Sequence, residues 1–152
     1  MKFLLTFILF TSLINGQPEK ITNFDQLMTT LENGYNTNVI IYYAKTKLIV
    51  DGEETEAPNA VGGMGINTFE YFAKGTVRNE KAFLSTSETV MINHPFYGVV
   101  NNYVKLRIYE DNKIEITAQY IDPLTLEIKM DEKFVTEINN NQNDSGVMLF
   151  KK

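Results

Sequence analysis

Between Val104 and Met130 apolar and polar residues alternate with a period of two, and the pattern starts afresh three times. Val104, Leu106 and Ile108 alternate with Lys105 and Arg107; Ile114, Ile116 and Ala118 alternate with Glu115, Thr117 and Gln119; Leu124, Leu126, Ile128 and Met130 alternate with Thr125, Glu127 and Lys129. A period of two belongs to an extended chain, whose successive side chains point to opposite faces. Glu110-Asp111-Asn112 and Asp122-Pro123 separate the three segments, and such residues favour tight turns. The sequence therefore predicts a half-buried antiparallel hairpin from Tyr103 to Ile121, extended by a third strand into a meander.

The helical period appears once, early in the chain. Phe24, Leu27, Met28 and Leu31 fall at the i, i+3, i+4, i+7 spacing of one buried face, with Thr22 or Asn23 placed to cap the start and Gly34 to end it. Val39-Ile40-Ile41-Tyr42-Tyr43 is β-branched and aromatic on both faces, as in a strand at the centre of a sheet. Ile66 to Ala73 and Ala82 to Ile92 read as two more strands, punctuated by Gly62-Gly63-Met64-Gly65 and Gly75, and Val147 to Phe150 can complete the sheet. Asp51 to Asn59 reads as a long acidic loop, and the Asn-rich stretch from Asn139 as a second one. With no alternation of strand and helix, the expected fold is mainly β. It is an antiparallel β meander closing into a small barrel or curled sheet, with one short N-terminal helix.

Lys2 and the apolar run Phe3 to Phe10, with Leu13 and Ile14, end abruptly at Asn15-Gly16, the pattern of a secretory signal peptide. The run falls short of the roughly 20 residues that a spanning helix needs. The chain thus divides into a signal peptide, residues 1–16, and a single domain, residues 17–152, expected to be secreted and extracellular with no membrane insertion. In that compartment Asn143-Asp144-Ser145 fits the acceptor pattern for N-glycosylation, although its acidic middle residue makes an unmodified Asn143 an equal alternative.

Composition then removes several kinds of chemistry. There is no Cys, so disulfides, thiol catalysis and thiolate metal sites are excluded, and the fold rests on apolar burial. Residues 17–152 keep 13 Lys and Arg against 19 Asp and Glu, which argues against a nucleic-acid partner. His94 sits in Asn93-His94-Pro95-Phe96-Tyr97-Gly98, a turn in which packing on Phe96 or Tyr97 is a simpler role than base catalysis. Ser85-Thr86-Ser87 alternates within a strand and reads as surface hydroxyls. The acidic loop lacks the ligand order of a calcium-binding loop, and the glycines at 62, 63 and 65 have no Lys-Ser/Thr after them for a phosphate cradle. No cofactor motif is present. Seven Phe and eight Tyr remain in residues 17–152, and Phe69-Glu70-Tyr71-Phe72 puts rings on both faces of one strand. Glu70 is the charge expected to be enclosed there, with Lys105 or Arg107 as its counter-ion.

The order of motifs has a family likeness. A helix ending in Gly34, a strand followed by Lys45, then Gly62-Gly63-Met64-Gly65-Ile66-Asn67-Thr68-Phe69, Phe83-Leu84-Ser85-Thr86-Ser87, Asn102-Tyr103-Val104-Lys105-Leu106-Arg107-Ile108 and Tyr120-Ile121-Asp122-Pro123 resembles the VirK family from about Phe24 to about Phe134. The resemblance implies a secreted protein and transfers no catalytic motif. Bacterial members tend to carry a Cys after the strand that matches Val39 to Tyr43, where this chain has Ala44-Lys45-Thr46, so any thiol role of those relatives is absent here.

The expected function is that of a secreted, non-enzymatic, VirK-like domain, a monomer that binds an extracellular protein or a small molecule. A second reading is a carrier of a small apolar ligand in a barrel interior, lined by Phe69, Tyr71 and Tyr103. A third is a hydrolase using dispersed carboxylates. N-terminal sequencing of the extracellular protein should find Gln17, free or cyclised, as its first residue; an intact Met1 there would sink the assignment of residues 1–16.

Overall fold

The computed structural model describes residues 18–152, so the expected signal peptide and its junction at Gly16 and Gln17 lie outside the described residues. The described chain runs through β1 (Glu19–Ile21), α1 (Phe24–Glu32), β2 (Thr37–Tyr42), a 3₁₀ turn (Tyr43–Lys45), β3 (Lys47–Val50), β4 (Glu53–Thr55), β5 (Val61–Ile66) and β6 (Glu70–Phe72). It continues through β7 (Phe83–His94), β8 (Gly98–Tyr109), β9 (Lys113–Ile121), β10 (Ile128–Glu137) and β11 (Val147–Lys151). Two sheets result, a four-stranded one in the order β1-β11-β2-β5 and a seven-stranded one in the order β4-β3-β10-β9-β8-β7-β6.

The elements form where local chemistry requires. Asn23 caps α1, its side-chain oxygen accepting from the Gln26 amide at 2.9 Å, and Gly34 leaves the helix at φ +77°. Asn112, at φ +68° in the β8–β9 turn, accepts from the Phe24 amide at 2.8 Å and so ties the start of α1 to the long hairpin. β2 is hydrogen-bonded on both sides, to β11 and β5, and so lies inside its sheet, with Val39 and Ile41 buried on one face and Ile40 and Tyr42 partly exposed on the other.

One face of the seven-stranded sheet carries the core. Leu84, Leu106, Ile108, Ile114, Ile116 and Phe134 are buried against Phe24, Leu27 and Leu31 of α1 and against Val39, Ile41, Ile66 and Leu149 of the smaller sheet. The opposite face holds the alternate residues, among them Lys105, Arg107, Glu115 and Lys133, and stays at the surface.

Four expectations change. Neither sheet closes into a barrel: β1 and β5 are the edges of one, and β4 and β6 the edges of the other. Closure fails because the stretch Ile66 to Ala73 is not one strand. β5 ends at Ile66 in the smaller sheet, and β6 begins at Glu70 in the larger one, so the chain changes sheets at residues 67–69. The third strand of the meander starts later than the alternation suggests, with Leu124 92 % exposed and Leu126 at φ +61°. Asp122 is the reason, since its carboxylate accepts from the amides of Leu124 and Thr125, both at 2.9 Å, and holds residues 122–127 in a turn. Finally, the acidic loop is partly a hairpin. Asp51 and Gly52, at φ +52° and +85°, supply the two positive-φ positions of a tight turn between β3 and β4.

Replacing Leu106, fully buried in the middle of this arrangement, by Ala should cost ~2–5 kcal/mol in urea unfolding. Replacing its outward neighbour Lys105 by Ala should stay within ~0.5 kcal/mol. Equal costs would show the two faces of β8 to be reversed.

Candidate functional site

Where the smaller sheet ends, the inner face of the larger one is left partly uncovered, and a cleft of about 240 Å³ opens there. Cross-strand register sets its floor in rows: Asn102 beside Tyr120 beside Met130, then Val104 beside Ala118 beside Glu132, with Phe134 beyond them. Ala118 is the small residue of the middle row. The opposing wall is Tyr43, whose ring packs on Phe134 at 4.9 Å between centroids, together with Gly62, Gly63 and Met64 of β5. A Cβ at Gly62 would lie 3.1 Å from the Tyr43 ring, a tight contact to which the ring would have to yield by a few tenths of an ångström. Gly62, Gly63 and Gly65 sit inside β5, and at Gly63 the Val39 carbonyl comes equally close.

The electrostatics of the cleft are one-sided. Tyr43, Tyr120 and Glu132 are its titratable lining residues, and no Lys, Arg or His is among them. Burial pushes the Tyr43 hydroxyl above its ordinary value, and the neighbouring Tyr120 and Glu132 push it further in the same direction. Glu132 makes no ion pair with another described residue.

Beyond Tyr120 the cleft runs into an apolar end of the sheet. His94 stacks near Tyr120 at 4.7 Å and near Tyr97 at 4.9 Å, and its Nδ1 accepts from the amides of Phe96 and Tyr97 at 3.2 and 3.3 Å. His94 thus packs in its turn, as its flanking Pro95 and Gly98 suggest. Around it, Val90, Met91, Tyr97 and Val99 of the β7–β8 hairpin are exposed, with Phe96 90 % exposed, as are Leu124, Leu126 and Ile128 at the β9–β10 turn. Residues 89–103 contain no Asp, Glu, Lys or Arg.

The structure does not bring Phe69, Tyr71 and Tyr103 around one space. Phe69 packs against the core, Tyr71 is half exposed with its ring 6.5 Å from that of Phe24, and Tyr103 lies on the face of β8 opposite to Asn102 and Val104. Glu70 is exposed, not enclosed, and Arg107 reaches Glu115 at 3.7 Å and covers the Phe83 ring at 4.7 Å. The reason is that β6 is an edge strand three residues long, too short to shield a charge. Asn143 folds back on its own loop, its side-chain nitrogen donating to the Ile138 carbonyl at 3.1 Å and its oxygen accepting from the Asn140 amide at 3.1 Å. Sequence reasoning missed the cleft residues Tyr43, Asn102, Tyr120 and Glu132. A signal was present for two of them: Asn102 and Tyr120 share the strand parity of Leu106 and Ile116, and so lie on the core face.

An antiparallel two-sheet domain with a single early helix and an open inter-sheet cleft is the class that these features define. The family described as VirK protein matches residues 20–126, and the chain belongs to the VirK family. The crystal structure of a VirK family protein from Legionella pneumophila has the same fold, with a TM-score of 0.65 at 10 % identity over 87 % of this chain and 98 % of that one. Among curated proteins none matches this sequence.

The Tyr43 environment sets an alkaline limit. In the unfolded chain Tyr43 ionises at its ordinary value, near pH 10, while the folded protein holds the proton more tightly, so stability is complete below about pH 10 and falls as the pH rises past it. Urea midpoints compared at about pH 8 and about pH 10.5 should therefore drop for the natural protein and drop less for Tyr43→Phe. An equally steep loss in the variant would place the alkaline sensitivity elsewhere.

Proposed function

We propose that the protein is a secreted, non-enzymatic, monomeric VirK domain that acts by binding an extracellular protein through the far end of its larger sheet. The observation that carries this reading is the apolar end itself. The exposed side chains of the β7–β8 hairpin and of the β9–β10 turn lie at the same end of the larger sheet, and the hairpin has no Asp, Glu, Lys or Arg across residues 89–103. Large contiguous apolar surface is characteristic of interaction sites, and aromatic residues with few charges are typical of interface centres. Asp122, Glu127 and Asp131 border it against one cation, Lys129, which is already paired with Glu127. The fitting partner has an apolar centre and a basic rim.

The reading as a carrier of a small apolar ligand lacks the barrel interior it requires, since both sheets have free edges and Phe69, Tyr71 and Tyr103 do not surround one space. The inter-sheet cleft, of about 240 Å³, is open to one side. A hydrolase reading finds one carboxylate there, Glu132, whereas hydrolysis of glycosides generally employs two.

Because the chain has no Cys, a single introduced thiol can be labelled uniquely. A photo-crosslinker on Phe96→Cys should give discrete adducts in the organism's own extracellular fluid, while the same group on Asp25→Cys, on the exposed side of α1, should not. Excess unlabelled natural protein should suppress these adducts, and the Phe96→Ser/Leu124→Ser double variant should fail to do so while keeping its melting temperature. Identical adducts from both positions, or none from Phe96→Cys, would overturn the proposal.

A further inference from the structure

Four polar side chains converge on the inter-sheet cleft from different strands: Tyr43 after β2, Asn102 on β8, Tyr120 on β9 and Glu132 on β10. Their surroundings are apolar, with Val104, Met64, Met130 and Phe134 closing the remaining sides. The one charge among the lining residues is negative, and it has no ion-pair partner among the described residues. A partly buried carboxylate is stabilised by a counter-charge that shares its space. Two phenol rings border the same space, and the face of a tyrosine ring attracts a cation.

The chemistry is therefore selective in three respects. It favours a positive charge over a neutral or negative group. It favours an ammonium carried on an apolar body, because hydrated inorganic cations gain nothing from the methionine and phenylalanine walls. It limits that body to a small one, since the cleft measures about 240 Å³.

We infer that the cleft between the two sheets is a binding site for a small organic amine, with the Glu132 carboxylate and the Tyr43 and Tyr120 rings around its ammonium group and Val104, Met64 and Met130 against its apolar body. Asn102, opposite Tyr120 in the cross-strand register, is placed to accept one ammonium hydrogen through its side-chain oxygen. The site adjoins the apolar end proposed as a protein contact but does not depend on it. Tyr120 marks the boundary, lining the cleft and packing on His94.

Calorimetric titration with 2-phenylethylamine and with 2-phenylethanol, which replaces the ammonium by a hydroxyl on the same skeleton, tests the inference. The amine should bind saturably and about tenfold or more tighter than the alcohol. Glu132→Gln is nearly isosteric and removes the charge, and it should abolish the preference for the amine over the alcohol. In parallel, amide chemical shifts of the natural protein titrated with the amine should move at residues 62–64, 118–120 and 130–134. That readout decides the matter even if Glu132→Gln folds poorly. Absence of saturable amine binding, equal affinity for the alcohol, or shifts confined to the β7–β8 hairpin would each overturn the inference.

Discussion

The burial of one face of the β8–β9 hairpin underlies everything else in the molecule. Leu106, Ile108, Ile114 and Ile116 are fully or almost fully withdrawn from water, and every other layer is arranged to cover them. With no disulfide or metal site among its described residues, the fold has this apolar contact as its main source of cohesion. The smaller sheet and α1 complete the cover, and the Asn112 bond to the Phe24 amide fixes where the helix begins. Their reach is limited, however. The cover ends near Ala118, and what lies beyond is the cleft and then the exposed end of the sheet.

That boundary explains what could be read from residues alone. Period-two alternation located β8 and β9, the apolar run located β2, and the 3.6 period with Asn23 and Gly34 located α1, because in each case local pattern and tertiary burial agree. Disagreement arose where a polar side chain competed with the ladder. The Asp122 carboxylate captured two amides and converted apparently alternating residues 122–127 into a turn, exposing Leu124 and Leu126. The division into two sheets was invisible for another reason. Nothing in the composition of residues 66–73 records that the chain crosses from one layer to the other; only the partners of β5 and β6 do.

The same logic applies to the site. Tyr43, Asn102, Tyr120 and Glu132 belong to separate elements, and their meeting depends on cross-strand register, which a linear pattern does not encode. Phe69, Tyr71 and Tyr103 drew notice as rings on strands, but Phe69 precedes β6 in the crossing between the sheets, and an edge strand as short as β6 encloses little. The Legionella pneumophila protein shares this architecture at 10 % sequence identity, and a shared fold does not by itself carry a function.

The place of β11 has a consequence for how the molecule comes into being. Val147–Lys151 is not an edge strand but sits between β1 and β2. β1 and β2 therefore share no ladder of their own and are joined only through β11. The long meander can form early, since β7 to β10 are sequential neighbours, whereas the smaller sheet waits for segments distant in sequence to meet. The cover over the hydrophobic face of the meander is thus the slow part of folding, set by the longest loop closures in the domain.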